Sequence, residues 1–344
     1  MMPQRSTARR TPRRLLTLLA LPVLAAVALA GCSSASDSDS GSSTTTDTAA
    51  GAQSFPATVA TQFGDVTIDA APKKIVALGW ADAETLYALG LQPIAMSDWL
   101  AFGDDGVGPW ATSLVEEPAE QLGTTELDFE KINDLAPDLI LNTRSDNSQE
   151  TYDTLSAIAP TVYGPAGVTS YGTSWEQQVT AVSEAVGLPE RGQQLISDTK
   201  SKLAAFAADN PDLADKTFAV GALFGTDQWG AYVSGDLRVD FLTALGMTNK
   251  PAIEDQKTDS FFISVSPENL ELFDADLTLM FAIGDNSAAL ESNTVLQNLP
   301  STEAGHLLIL NSDEAQAYST GSVLAIDYAL QNVAPKIVTA VAGS

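Results

Sequence analysis

A chain of 344 residues, 44% of them hydrophobic, is long enough for two domains with their own cores. Seventeen lysines and arginines against 44 aspartates and glutamates leave a formal charge of −27, which argues against nucleic acid or an anionic lipid surface as a specific partner. One cysteine closes off an internal disulfide, and one histidine argues against a bare zinc or manganese site, which usually wants several imidazoles.

The chain opens with Arg5, Arg9, Arg10, Arg13 and Arg14 ahead of an apolar run at 15–30, the charged and hydrophobic regions of a signal peptide. Arg13-Arg14 fits twin-arginine as well as general export. The run is short for a membrane span, and Pro22 interrupts it. It ends Leu29-Ala30-Gly31-Cys32, which resembles the bacterial lipobox, where the cysteine is acylated. Residues 1–31 are thus expected to be removed, leaving lipidated Cys32 as an anchor on the outer face of the cytoplasmic membrane. Residues 32–53 continue as a Ser/Thr/Asp/Gly/Ala-rich tether with no large apolar group to bury. Losing five of the 17 basic residues and none of the 44 acidic ones takes the net charge to −32 and leaves Arg144, Arg191 and Arg238 as the remaining arginines.

Alternation around Gly64-Asp65 predicts a β-hairpin over 55–70. Strands are expected at 74–78, 93–96, 138–142 and 160–163. Helices are expected at 81–89 (closed by Gly90), 128–135 and 149–158, with a glycine- and aromatic-rich loop at 97–110. Helix following strand argues for a parallel sheet covered on both faces. Ser174 and Gln177 form a capping box for a helix running to Val186, with Gly187 as its stop. The stretch 189–210 has Pro189 at a first helical position and an apolar stripe of Leu195, Ile196, Thr199, Leu203 and Phe206. At about 1.5 Å per residue it makes a rod of about 30 Å. Beyond it come a strand at 217–223, a hairpin arm at 229–233, a helix at 238–245 before Gly246 and a helical turn at 267–272. Strands at 276–281 and 307–310 and a closing helix at 323–341 complete the chain.

The two halves echo each other. ETLYALG at 84–90 matches DFLTALG at 240–246, and EKINDLAPDLIL at 130–141 matches ENLELFDADLTL at 268–279. The expected fold is α/β, two Rossmann-like lobes at 54–173 and 213–344 joined by the helices of 174–212, with a ligand cleft between lobes.

Catalytic constellations are missing. There is no G-x-S-x-G elbow, no H-E-x-x-H and no thiol in the folded part. His306, just before an apolar run, reads as a strand-entry residue. GVGPWA at 106–111 resembles a dinucleotide fingerprint only in its letters, because Pro109 spoils the helix start. A surface enzyme acting on glycans or phosphates has acidic residues in plenty but no motif, so no enzyme is expected.

What stands out is a set of aromatics and arginines at strand ends, where open α/β sheets bind ligands. Trp80, Trp99 and Arg144 follow strands of the first half; Trp229, Tyr232 and Arg238 follow the first strand of the second. Two guanidiniums converging from two lobes suit an anionic ligand, with the aromatics as flat walls. The plainer alternative is that the arginines satisfy local acids such as Asp146 or Asp240 and that the tryptophans are core. Trp110 and Trp175 read more as packing. Glu84 and Asp240 hold equivalent places in the two halves and are candidate contacts for a two-fold partner with basic residues.

PKKIVALGWADAETLYALGLQPIAMSDWLAFGDDGVGPW (72–110), LDFEKINDLAPDLILNTRS (127–145) and QWGAYVSGDLRVDFLTALG (228–246) resemble the substrate-binding lipoproteins of bacterial ABC importers for iron–siderophore complexes, related to those for haem and vitamin B12. The resemblance covers essentially the whole mature chain. It implies two lobes joined by a rigid helix, limited closure, and a monomeric receptor that hands a ferric siderophore to a permease dimer with its ATPase subunits. It also implies an acid on each lobe that engages the permease, a role that Glu84 matches by motif and Asp240 by the repeat. Haem or a corrinoid is the alternative ligand. With one histidine and no folded thiol, no cofactor and no direct protein–metal bond are expected; iron would come inside an organic chelator.

Overall fold

The computed structural model describes residues 53–97, 102, 105–123, 126–284 and 287–343. Trp99, Cys32 and the residues expected to form the signal sequence and the tether, up to residue 52, lie outside them. The hairpin of β1 (Ala57–Thr61) and β2 (Gly64–Ile68) is antiparallel, with Val59, Val66 and Ile68 on its buried face. The first lobe then runs β3 (Ile75–Ala77), α1 (Asp82–Leu89), β4 (Ala95–Ser97), β5 (Glu120–Leu122), α2 (Phe129–Asp134), β6 (Leu139–Asn142), α3 (Gln149–Ser156) and β7 (Thr161–Tyr163), the expected helix–strand alternation apart from β5. Its five strands are parallel in the order β5-β4-β3-β6-β7. Alternate residues feed opposite faces. Ile75, Ala77, Leu139 and Leu141 join one apolar cluster, and Val76, Ala95 and Ile140 join another. Burial on both faces explains why these strands read as continuous apolar runs.

Helix α4 (Trp175–Ala185) starts on the expected capping box of Ser174 and Gln177. Helix α5 (Pro189–Asp209) is the expected rod. Gly192 lies so close to Ser183 of α4 that a Cβ there would run into the serine side chain. Ile196 packs with Val179 of α4 and with Val323, and Leu203 enters the core of the second lobe. One helix therefore contributes to the packing of both halves.

The second lobe contains β8 (Thr217–Gly225), β9 (Gln228–Tyr232), α6 (Leu237–Ala244), β10 (Thr248–Asn249), α7 (Pro251–Glu254), β11 (Phe262–Val265) and β12 (Leu277–Ala282). Three short helices follow, α8 (Ser287–Glu291), α9 (Thr294–Gln297) and α10 (Pro300–Glu303), then β13 (Leu307–Ile309), α11 (Ser312–Thr320), α12 (Val323–Asn332) and α13 (Ala334–Ala342). The sheet runs β11-β9-β8-β12-β13, with β10 beside the start of β8; β9 is antiparallel to both of its neighbours. His306 enters β13 and gives its carbonyl to Thr278 N (2.9 Å).

The repeat is physical. Helices α1 and α6 both stop at a glycine with positive φ, Gly90 (82°) and Gly246 (93°). Asp138 accepts from the backbone N–H groups of Lys73 and Lys74, and its counterpart Asp276 accepts from Thr217 N. Each aspartate thus pins the strand it precedes to the first parallel strand of its lobe. Two expectations need correcting. The closing helix is two helices broken at Val333, because Pro335 has no N–H for the carbonyl one turn back. The short strands β5, β10 and β11 and the helix α11 were not foreseen.

Candidate ligand-binding site

The chain leaves β3 through Leu78-Gly79-Trp80 and β6 through Thr143-Arg144-Ser145, at the carboxyl ends of adjacent parallel strands. Asp82, fully buried, holds the two exits together. It accepts from Thr143 N (3.0 Å), from the Thr143 hydroxyl and from Gln178 Nε2 (2.7 Å), which also donates to Trp80 O (2.6 Å). Burial pushes the Asp82 carboxyl above its usual range, and these donors partly offset it. Trp80 N donates to Arg144 O (3.1 Å). Gly79 makes the approach possible, since a Cβ there would strike the Asp82 carboxylate and lie 2.7 Å from Thr143 N.

Above these exits is a cavity of about 370 Å³, lined by Leu78, Trp80, Phe129, Asn142, Arg144 and Tyr171 among others, all from the first lobe. Trp80 stacks on Tyr171 with ring centroids 4.3 Å apart. Arg144, 4% exposed, lies 5.7 Å from the Trp80 ring and donates to Tyr171 O (3.3 Å) and, across to the second lobe, to Thr320 O (3.1 Å). Burial pulls its pKa down to about 10; Asp236 opposes this and Arg238 adds to it. A larger open groove of about 850 Å³ runs along α4 and α5, away from the strand ends, and gathers none of the expected site residues.

On the second lobe Arg238 is 5% exposed and committed. It pairs with Asp236 (2.7 Å), donates to Ser319 Oγ (3.2 Å) and lies 4.2 Å from the Tyr232 ring. Burial alone would lower its pKa, but Asp236 and then Tyr232 outweigh it and raise it. The two arginines bond to consecutive residues of α11, Arg144 to Thr320 O and Arg238 to Ser319 Oγ, and Asp236 acts on both. Tyr232 is the floor under Arg238, stacked also on Phe281 (5.8 Å). Trp229, 4% exposed, does not join them: it packs with Leu223, Phe273 and Leu290 inside the second lobe. Its place three residues before Tyr232 and two before Ala231 on β9 puts it on the same face as Ala231, away from Arg238.

Glu84 is not an exposed docking acid. It is 3% exposed and accepts from Trp110 Nε1 (2.8 Å) and from the Ser322 hydroxyl, the N-cap of α12 on the opposite lobe. Burial raises its pKa to about 7. Its aspartate counterpart, Asp240, is half-buried beside Trp175, Phe241 and Tyr318, and burial raises it too. The motif was legible, but the lobe that covers Glu84 was not. Sequence reasoning also missed Tyr171, which sits in an irregular loop with no spacing to mark it, and Asp82, one acid among many.

The sequence profile described as "Periplasmic binding protein" matches residues 75–314. The chain belongs to that family. A probable siderophore-binding lipoprotein of Bacillus subtilis (strain 168), YfiY, is 27% identical over 282 residues, 77% of this chain and 82% of that one. The fold matches a periplasmic solute binding protein from Mycobacterium smegmatis at a TM-score of 0.74 and 26% identity, covering 83% of this chain and 98% of that one. It also matches Streptococcus pneumoniae PiaA in complex with ferrichrome at a TM-score of 0.69 and 24% identity, covering 83% and 98%. That last likeness is one of fold. The two-lobe architecture of such binding proteins is the architecture found here.

Proposed function

We propose that this protein is the extracytoplasmic receptor of an ABC importer, that it captures a ferric siderophore between its lobes, and that it delivers it as a monomer to a membrane permease and its ATPase. The observation that carries the reading is the aromatic cavity at the carboxyl ends of β3 and β6, with Arg144 reaching from it to the opposite lobe. Trp80 and Tyr171 offer a flat apolar wall, and a ferric chelate presents apolar linkers around its iron cage. The described relative with the siderophore-binding name supports the ligand class. Export and a lipid anchor at Cys32 follow from the lipobox-like Leu-Ala-Gly-Cys stretch.

The test is a tryptophan-fluorescence titration with ferric hydroxamate, ferric catecholate, haem and cobalamin, and with iron-free siderophore as control. The proposal expects saturable quenching by a ferric chelate at micromolar or lower concentration, and little by its iron-free form. Quenching by haem or cobalamin alone would move the protein to the alternative ligand class; quenching by none would overturn the receptor reading.

A further inference from the structure

Two arginines at one cleft suggest an anionic guest, but their surroundings point the other way. Arg238 does not line the cavity and is neutralised by Asp236 at 2.7 Å. Arg144 does line it, yet it is almost wholly buried and gives its Nε and Nη1 to the carbonyls of Tyr171 and Thr320. Against this one guanidinium the same cavity wall carries three carboxylates, Glu126, Asp146 and Glu150, and no lysine. All three acids are exposed, so they face the approach from solvent. Asp146 accepts from Ser148 N (3.1 Å), and after burial its charge is the next cause holding the Tyr171 hydroxyl above its usual range. The carboxylate thus acts on the aromatic wall itself. A whole-chain charge of −27 biases approach in the same direction.

We infer that this site, given the receptor reading above on which the inference rests, selects ferric chelates that are neutral or positively charged over anionic ones. Three hydroxamate anions cancel the ferric charge, and a pendant ammonium then leaves one positive charge. Three catecholates leave three negative charges. The favoured class is therefore ferric trihydroxamates, above all those carrying an ammonium that can sit among Asp146, Glu126 and Glu150 while the cage rests on Trp80.

The probe pair is ferrioxamine B, which carries such an ammonium, and its N-acetylated form, which keeps the same iron cage without the charge. Titrated at low salt, the acetylated chelate should bind about three- to tenfold more weakly, and a ferric tris-catecholate more weakly again. The gap between the pair should narrow as salt rises toward the molar range, where the screening length falls to about 3 Å. It should also narrow in the double variant Asp146→Asn/Glu126→Gln, whose positions are exposed and carry little folding risk. Equal or tighter binding of the acetylated form, a gap indifferent to salt and to the double variant, or tightest binding of the catecholate would overturn the charge inference while leaving the receptor reading intact. If no ferric chelate of any charge binds, the receptor reading falls and takes this inference with it.

Discussion

Gly79 shows how little room the site leaves for error. The turn after β3 is drawn against Asp82 and the backbone of Thr143, and a methyl group cannot enter without separating the two strand exits. Gly79→Ala should cost about 1–3 kcal/mol, the usual range for overpacking, and should weaken ligand binding by misplacing Trp80 and Arg144. Urea denaturation and the fluorescence titration check both; an unchanged midpoint would contradict the geometry. Arg144→Lys retains a charge but not a planar fork able to reach two carbonyls at once, so it should behave nearly as badly as Arg144→Ala. Glu84 makes a pH prediction. Its folded pKa of about 7 stands above its ordinary 4.5, so the folded protein binds the proton more tightly than the unfolded chain does. That contribution is fully present below about pH 4.5, is lost as pH rises toward 7, and is absent above it, a change of at most about 3 kcal/mol. Glu84→Gln should remove this fall from the stability–pH curve. A curve identical to that of the wild type would show that Glu84 is not buried as described.

The corner between α11 and α12 is gripped from the first lobe at both ends: Arg144 holds the Thr320 carbonyl and Glu84 holds the Ser322 hydroxyl. Gly321 between them turns with a φ of 71°. Helix α5 adds a third tie, since Lys202 pairs with Asp327 of α12 while Gly192 seats against α4. Gly192→Leu should therefore loosen α5 from α4 and lower stability by a few kcal/mol, of order 1–3 for overpacking of this kind, readable as a lowered denaturation midpoint with an unchanged slope. These elements differed in how legible they were. The parallel strands and α5 announced themselves because burial on both faces gives unbroken apolar runs and because one helix with two neighbours shows a clear stripe. Strand β5, reading Glu-Gln-Leu, carries no such run, and β10 is two residues long; both exist because a neighbouring strand supplies their hydrogen bonds. The places of Trp80 and Arg144 at strand exits beside a cavity were legible from strand ends alone; the pairing of Arg238 with Asp236 outside that cavity was not. The direction of Trp229 and the covering of Glu84 were not, since each depends on which residue packs against it from a distant part of the chain.

Taken as one body, the described chain has two sheets, each covered on both faces by apolar clusters, and a cavity whose walls belong to the first lobe while its one arginine reaches the second. The interlobe ties through α1, α5 and α12 favour small adjustments over wide opening. Among the described residues no helix is long and apolar enough to cross a membrane. The central claim is that a ferric chelate rests on the strand exits of the first lobe. Hydrogen exchange followed by mass spectrometry, with and without a saturating ferric trihydroxamate, tests it most directly. The account predicts ligand-dependent slowing concentrated at 78–82, 142–148 and 169–173, with a smaller effect at 319–322. Protection confined to the groove along α4 and α5, or to the core around Trp229, with those segments unchanged, would contradict it.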